Sequence, residues 1–384
     1  MTAGRHYLDH ASTTPLRPES RAAMSEWLER AGRPDGVGDP GRVHSEGRLA
    51  REAVERARQH VAELLGTQAA RVVFTSGGTE AANTAILAAA AANPGRPLAA
   101  AEVEHSCVRQ ACRRSGRPVL VPAVDADGRL DLGDLDRLLA TEQPALVNCQ
   151  MANHEVGTLQ PVVEAIARSH AAGALVHVDA AAAAGHVDVA FDALEADFMS
   201  VSAHKLGGPP GIGALLVRRR LRMTPMLVGG SEERGRRAGG ENVLGIVGFG
   251  AACEALADGG LLAAEAARSR AYTKALAAAA EAVPAVAVVG DRDARAPHIL
   301  ALSVAGVLGE AVLLSLDRAG IACHSGSACS SEVLEPSPVL AAMGLDPDRS
   351  LRLSVGWSTS AGDVDAFGEA FPSVVERLRS LGTG

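Results

Sequence analysis

Short apolar runs separated by amphipathic stretches recur along this chain, and their spacing predicts alternating strands and helices. Arg71-Val72-Val73-Phe74-Thr75 reads as a strand, as do Leu98 to Ala101, Val119 to Val121, Leu146 to Cys149, Leu175 to Val178, Phe198 to Val201 and Ala214 to Val217. These runs are short, aliphatic and β-prone, the pattern of strands buried on both faces. From Gly47 to Leu65, by contrast, Leu49, Val54, Ala57, Val61 and Leu65 fall at helical spacing, Arg51/Glu55 and Glu52/Arg56 lie four apart, and Gly66 supplies a stop. An Ala-rich helix follows the first strand to about Ala92. Such alternation builds a mostly parallel sheet with helices on both faces. Beyond about Ala252 the pattern changes. A long helix from roughly Ala263 to Ala280 leads to strand-like Val286 to Val289, Ile299 to Ser303, Ile321 to Cys323 and Leu351 to Ser354, an α+β arrangement. A domain division follows, with 15–255 as a large α/β unit and 1–14 plus 256–384 as a smaller α+β unit.

Composition narrows the class. With 384 residues, 47% hydrophobic and 21% charged, the chain is long enough for two globular cores. Aromatics are only 3%, so the core rests on aliphatic strands and Ala-rich helices. The formal charge is −8, and the one compact basic run, Arg218-Arg219-Arg220-Leu221-Arg222, follows an apolar strand and reads as a solvated turn. No direct nucleic-acid partner is expected. No apolar run approaches the ~18 residues of a membrane span, and Met1 to His6 has no signal-peptide core, so a cytoplasmic protein is expected. The six cysteines show neither the paired spacing of a structural zinc site nor a disulfide framework.

Candidate chemistry collects at strand ends. Lys205 stands in Ser202-Ala203-His204-Lys205-Leu206-Gly207-Gly208, between a buried strand and a glycine-rich turn. Ligands of open α/β sheets bind at that end, and a partly desolvated lysine there can act as base or Schiff-base nucleophile. Other strand ends carry Glu104-His105-Ser106, Asn153-His154-Glu155 and Asp179. The turn Ser76-Gly77-Gly78-Thr79-Glu80 opens a helix, where backbone amides can hold an anion. It lacks the Gly-x-x-x-x-Gly-Lys-Ser/Thr pattern of a nucleoside-triphosphate loop. A lysine, an acid, an anion turn and an aromatic cover are what a pyridoxal phosphate site requires.

The spacing of these elements resembles the cysteine desulfurases of the NifS/IscS type, in the class V aminotransferase superfamily. The likeness rests on Val178-Asp179 with Lys205 26 residues beyond the acid, Thr75-Ser76-Gly77-Gly78-Thr79-Glu80, Glu104-His105 and Ser325-Gly326-Ser327-Ala328-Cys329. It extends from Tyr7-Leu8-Asp9 to Arg352-Leu353-Ser354. The resemblance implies fold type I, with a mostly parallel seven-stranded sheet and a smaller α+β domain. It implies pyridoxal 5'-phosphate bound covalently by Lys205, with Asp179 at the pyridine nitrogen, His105 over the ring, and Gly78, Thr79, Ser202 and His204 at the phosphate. Arg352 and Asn153 would bind substrate. Cys329, in a run of small residues expected to form an exposed, mobile loop, would take sulfur from L-cysteine as a persulfide and pass it to an acceptor protein. Such acceptors serve iron–sulfur cluster assembly, tRNA thiolation or DNA phosphorothioation. A homodimer is implied.

Three positions depart from the family pattern. His154 stands where Asn is usual, so the contact to the cofactor's ring hydroxyl is made by another group or shifted. Ala182 replaces a glutamine, and Gly240 a threonine that reaches the neighbouring subunit's phosphate. These changes imply looser cofactor binding, or compensation from Arg234 or Arg237. Competing readings are an aminotransferase or selenocysteine lyase, a non-catalytic partner in sulfur transfer, and a zinc site of His105, Cys107 and Cys112.

Overall fold

The computed structural model describes residues 4–33, 36, 38–325 and 336–382. Strand β1 (His6–Tyr7) precedes helices α1 (Pro18–Ala31) and α2 (Ser45–Leu64). Strands and helices then alternate: β2 (Val72–Thr75), α3 (Gly78–Ala92), β3 (Leu98–Ala99), α4 (Ser106–Arg114), β4 (Val119–Leu120), α5 (Leu132–Glu142), β5 (Leu146–Gln150) and α6 (Val162–Ala171). The series continues through β6 (Leu175–Asp179), α7 (Phe191–Leu194), β7 (Phe198–Ser202) and β8 (Gly213–Val217). Helices α8 (Val243–Ala257) and α9 (Leu261–Glu281) lead to β9 (Val286–Val289), β10 (Ile299–Val304), α10 (Gly309–Arg318) and β11 (Ile321–Ala322). The last elements are α11 (Pro338–Ala342), β12 (Ser350–Ser354) and α12 (Ala361–Gly382).

Seven strands form the main sheet in the order β2-β8-β7-β6-β5-β3-β4, in which β8 alone is antiparallel to its neighbours. Every residue of β2, β5, β7 and β8 is buried, which explains their unbroken apolar runs. Parallel pairing sets Gln150 opposite Asp179 and Asp179 opposite Ser200, so β5 and β6 finish at one level and β7 runs on to Ser202 just beyond it. Gly213 of β8 has no room for a side chain. A Cβ there would lie 2.5 Å from the Val201 carbonyl and 2.7 Å from the Gly77 backbone, so the Ser76-Gly77-Gly78 turn rests directly on the sheet.

A second, antiparallel sheet has the order β12-β10-β9, and β1 pairs in parallel with β11. Leu8 joins Leu300, Leu353, Phe367 and Phe371 in a separate apolar core. The chain's opening thus belongs with its last third. Among the described residues no single helix is long and apolar enough to cross a membrane. The apolar α8 instead buries Ile246, Phe249, Cys253 and Leu256.

One ion pair lies deep inside. Arg58 of α2 and Glu233 are both about 2% exposed at their side chains and meet through two bonds of 2.6 and 2.8 Å. Glu233 also accepts from the Phe74 amide, Arg58 donates to the Val72 carbonyl, and the guanidinium lies 4.7 Å from the Phe74 ring. Every charged end is therefore met, which a buried pair needs to offset its desolvation. The pair fastens the 228–240 loop to β2 and holds Glu233 and Arg234 at φ 47° and 59°, a left-handed conformation that costs about 1–3 kcal/mol at each.

Replacing Glu233 by Gln leaves Arg58 charged and buried with only half its partnership. We expect Glu233→Gln to lower the unfolding free energy by about 3–5 kcal/mol in urea titration. A loss below about 1 kcal/mol would show that the pair is not the loop's anchor.

Candidate active site

The strand ends and the α3 turn enclose a cleft of about 390 Å³. Its lining includes Gly78, Thr79, His105, His154, Asp179, Ser202, His204, Lys205 and Arg352, every expected site residue in the described regions except Asn153. Asp179 is oriented from behind. Its Oδ1 accepts from Ser200 Oγ and from the Ala181 amide, each at 3.0 Å. Ser200 in turn contacts His177 Nε2 at 3.1 Å, and His177 Nδ1 lies 3.0 Å from Asn148 Oδ1. This buried chain fixes the carboxylate where β6 ends.

Lys205 closes a single 3-10 turn, Ala203–Lys205, directly after β7. The N-terminal segment grips the backbone around it. Thr14 N–H donates to the His204 carbonyl, Arg17 Nε to that of Leu206, and Arg17 N–H to that of Gly207, each at 2.9 Å. At Gly207 φ is +94°, and a Cβ would lie 2.4 Å from Arg17 Cγ, so glycine is required.

His105 caps α4. Its Nδ1 accepts from the Cys107 amide at 3.2 Å, which places the ring proton on Nε2. Burial, reinforced by the Lys205 charge, lowers its pKa. The same causes pull His204 down to about 4. His154 meets His105 edge-on at 4.9 Å and is held well below the ordinary range by burial, then by His105, Lys205 and Arg352. The imidazoles around the lysine are thus neutral at neutral pH. Burial also pushes the Cys107 thiol up to about 12, making it a poor nucleophile.

Arg352 projects from β12. Its NH1 donates to the His154 carbonyl at 2.9 Å, and its NH2 reaches Asp9 Oδ1 at 2.9 Å and Ser12 Oγ at 2.6 Å. Its Nε has no partner among the described residues. The backbone of Arg352 pairs with His324 in both directions. Beyond residue 336, Ser337 Oγ donates to Glu155 Oε2 at 2.5 Å. Both flanks of the 326–335 stretch are therefore tied to residues beside the cleft. Cys329 itself lies outside the described residues.

Asn153 corrects one expectation. It is fully buried, its Oδ1 accepts from the Glu155 and Val156 amides, and its Nδ2 donates to the Val103 carbonyl. It shapes the turn that presents His154 and does not line the cleft. Of the two arginines offered as compensation for the three departures, Arg237 is bound to Glu80 at 3.0 Å and Arg234 to Glu55 at 3.3 Å. Gly240 borders a separate small cavity beside Ser76 and Arg237. Among the described residues no three His, Cys, Asp or Glu side chains are grouped to hold a metal, and Cys112 lies against Asn148 at 3.4 Å. Asp9 and Ser12 behind Arg352, and Ser200 and His177 behind Asp179, went unassigned from sequence. The hydroxyl-rich Asp9 to Thr14 turn and the His177-x-Asp179 spacing were the only signals for them.

Pyridoxal 5'-phosphate fits this donor set. Amides of the first α3 turn, with Thr79, Ser202 and neutral His204, offer hydrogen bonds to a phosphate. Asp179 offers an acceptor for a pyridinium proton. Two buried polar atoms of cleft residues, His154 Nδ1 and Arg352 Nε, lack partners among the described residues, as expected where a polar ligand completes the site.

Comparison with known proteins agrees. The class-V aminotransferase family pattern matches residues 6–367. The chain is 40% identical to a cysteine desulfurase of Cereibacter sphaeroides, over 98% of this chain and 97% of the relative. Among solved structures it superposes on a NifS-like protein with a TM-score of 0.89 at 28% identity, covering 97% of this chain and 100% of the other. It also superposes on SspA in complex with cysteine, with a TM-score of 0.79 at 26% identity over 91% of this chain and 99% of the other.

Glu104 supplies a test of the site's polarity. Burial, reinforced by the Asp179 charge and partly opposed by the Gln150 amide and Arg109, raises its pKa from 4.5 to about 8. A carboxyl raised in the fold favours the neutral acid, so native stability falls as pH climbs from about 4.5 through 8. Glu104→Gln removes that penalty. The melting temperature of the variant relative to the parent should rise between pH 5 and pH 9, and parallel curves would show that Glu104 ionises freely.

Proposed function

This chain belongs to the class-V aminotransferase family, and we propose that within it the protein is a pyridoxal-phosphate-dependent cysteine desulfurase that converts L-cysteine to L-alanine. The observation that carries this reading is the convergence of Lys205, Asp179, His105 and Arg352 on one cleft whose rim holds both flanks of the Cys329 segment.

When bound, pyridoxal 5'-phosphate supplies an electron sink for bonds at the substrate's Cα. Lys205 Nζ would bind it covalently and, once freed, would serve as the proton carrier of the site, taking the substrate's Cα proton and returning one to Cα after Cβ has been protonated. Asp179, fixed by Ser200 and the Ala181 amide, would keep a proton on the pyridine nitrogen. Gly78, Thr79, Ser202 and His204 would hold the phosphate, and His105, whose Nε2 proton is set by the Cys107 amide, would cover the ring. With His154 where the family usually has an amide side chain, the contact to the ring hydroxyl would be made by another group or shifted. Arg352 binds the substrate carboxylate, prearranged by Asp9, Ser12 and the His154 carbonyl.

Cys329 takes the sulfur. Its thiolate attacks the substrate Sγ, the Cβ–Sγ bond breaks, an S–S bond forms, and Cβ receives a proton. The products are alanine and a persulfide on Cys329, with no external oxidant required. Covalent geometry limits Cys329 to about 14 Å from Ser325, and His324 beside it is paired to Arg352. The tether thus suits delivery into the cleft and then outward to a sulfur-acceptor protein.

The division into 15–255 and 1–14 plus 256–384 is supported by the separate core that joins Leu8 to residues of the last third. A homodimer, with the Gly239-Gly240 loop facing the neighbouring subunit, and a reducing cytoplasmic setting complete the reading.

Purified protein should be yellow and form alanine and sulfide from L-cysteine with a thiol reductant. Lys205→Ala should be colourless and inactive. Cys329→Ser should stay yellow and release no sulfide, and mass spectrometry of the parent's Cys329 peptide after cysteine exposure should show one added sulfur. Full sulfide release by Cys329→Ser would overturn the persulfide step. Arg352→Lys, which loses the bidentate fork, should raise KM for cysteine about tenfold to a hundredfold with a smaller change in kcat.

A further inference from the structure

Four successive carbonyls at the lysine turn, those of His204, Lys205, Leu206 and Gly207, each accept a hydrogen bond from elsewhere in the chain. Three of the donors belong to the segment from Thr14 to Arg17. The carbonyl of Lys205 itself is held by a side chain, His186 Nε2–H, at 3.0 Å.

That ring is not isolated. His298 stacks on it with centroids 3.5 Å apart and planes within 10°. His298 is only 1% exposed and enters β10 of the three-stranded sheet, where its carbonyl accepts from Val355 N–H and the neighbouring Pro297 carbonyl accepts from Thr273 of α9. Its Nδ1 is buried without a partner among the described residues, a desolvation cost that an apolar ring in the same place would avoid. Both imidazoles are neutral. Burial draws His186 down to about 4 and holds His298 well below its ordinary value, and the charges of Arg17, Lys205 and Arg352 and the His10 ring nearby disfavour protonation further, opposed only by Glu265 and the Lys205 carbonyl. A neutral His186 bonded through Nε2–H keeps one defined tautomer, and the stack fixes its ring plane.

We propose that His186 and His298 are positioning residues for Lys205: His186 holds the lysine's main chain, and His298 transmits the placement of the three-stranded sheet, which also carries Arg352, to that hold. Neither ring lines the cleft, so they act through the lysine. The inference rests on Lys205 bearing the cofactor.

The test uses holoenzyme and follows the absorbance band of the lysine-bound cofactor through a pH titration, together with kcat and KM for cysteine. His186→Phe keeps a stacking ring and loses the donor. It should shift the titration midpoint and lower kcat about tenfold while KM changes less than twofold. His186→Gln, which retains an N–H donor, should recover most of both, and His298→Ala should move the midpoint in the same direction as His186→Phe. If His186→Phe and His298→Ala bind cofactor fully and titrate like the parent, the proposal is wrong. It is equally wrong if Gln recovers nothing while melting temperatures match the parent's. A parent protein without the absorbance band would instead refute the proposed function.

Discussion

Parallel pairing of β5, β6 and β7 is the constraint from which the site follows. Because hydrogen bonding sets Gln150, Asp179 and Ser200 in one row, the groups at and just beyond the three carboxyl ends face one cleft. Side chains alternate along a strand, so a slip of one residue would turn Asp179 to the opposite face. Burial of both faces makes such a slip costly. The glycines serve the same arrangement: Gly213 lets the α3 turn lie against the sheet, and Gly207 lets Arg17 close over the lysine turn.

Charge around the cleft is matched. Asp179 is bonded from behind, Arg352 is met by Asp9, and the three nearby imidazoles stay neutral because burial and Lys205 oppose their protonation. Cationic character is left to Lys205 and Arg352, which suits a ligand bearing a phosphate and a substrate bearing a carboxylate. His154 keeps that balance, since a neutral imidazole offers hydrogen bonds without adding charge.

Strands such as β5 and β7 were legible because burial on both faces writes a near-continuous apolar run, and β9, although exposed at Ala287, matches its expected span residue for residue. That Lys205, Asp179 and His105 would line one cleft was legible because strand ends announce themselves by an abrupt change to polar residues. Asn153 misled for the same reason: it stands at such an end, yet a turn consumes its amide. The partners of Arg352 and the stacking of His186 on His298 left no local trace, since no periodicity links residues 343 or 112 positions apart. Helix α1 was also missed. Its apolar face is weak, and it is packed mainly through contact with α8.

The engagement of Asp9 with Arg352 has a consequence for biosynthesis. Those residues are separated by 343 positions, so at ribosomal speeds of about 5–20 residues per second the chain's opening segment waits roughly 17 to 70 s for its partner. During that interval Leu8 lacks its complete apolar core, while the backbone at Lys205 can already be gripped by the Thr14 to Arg17 segment and by His186. The nascent protein can therefore assemble its seven-stranded sheet early, but its guanidinium clamp is among the last features to form.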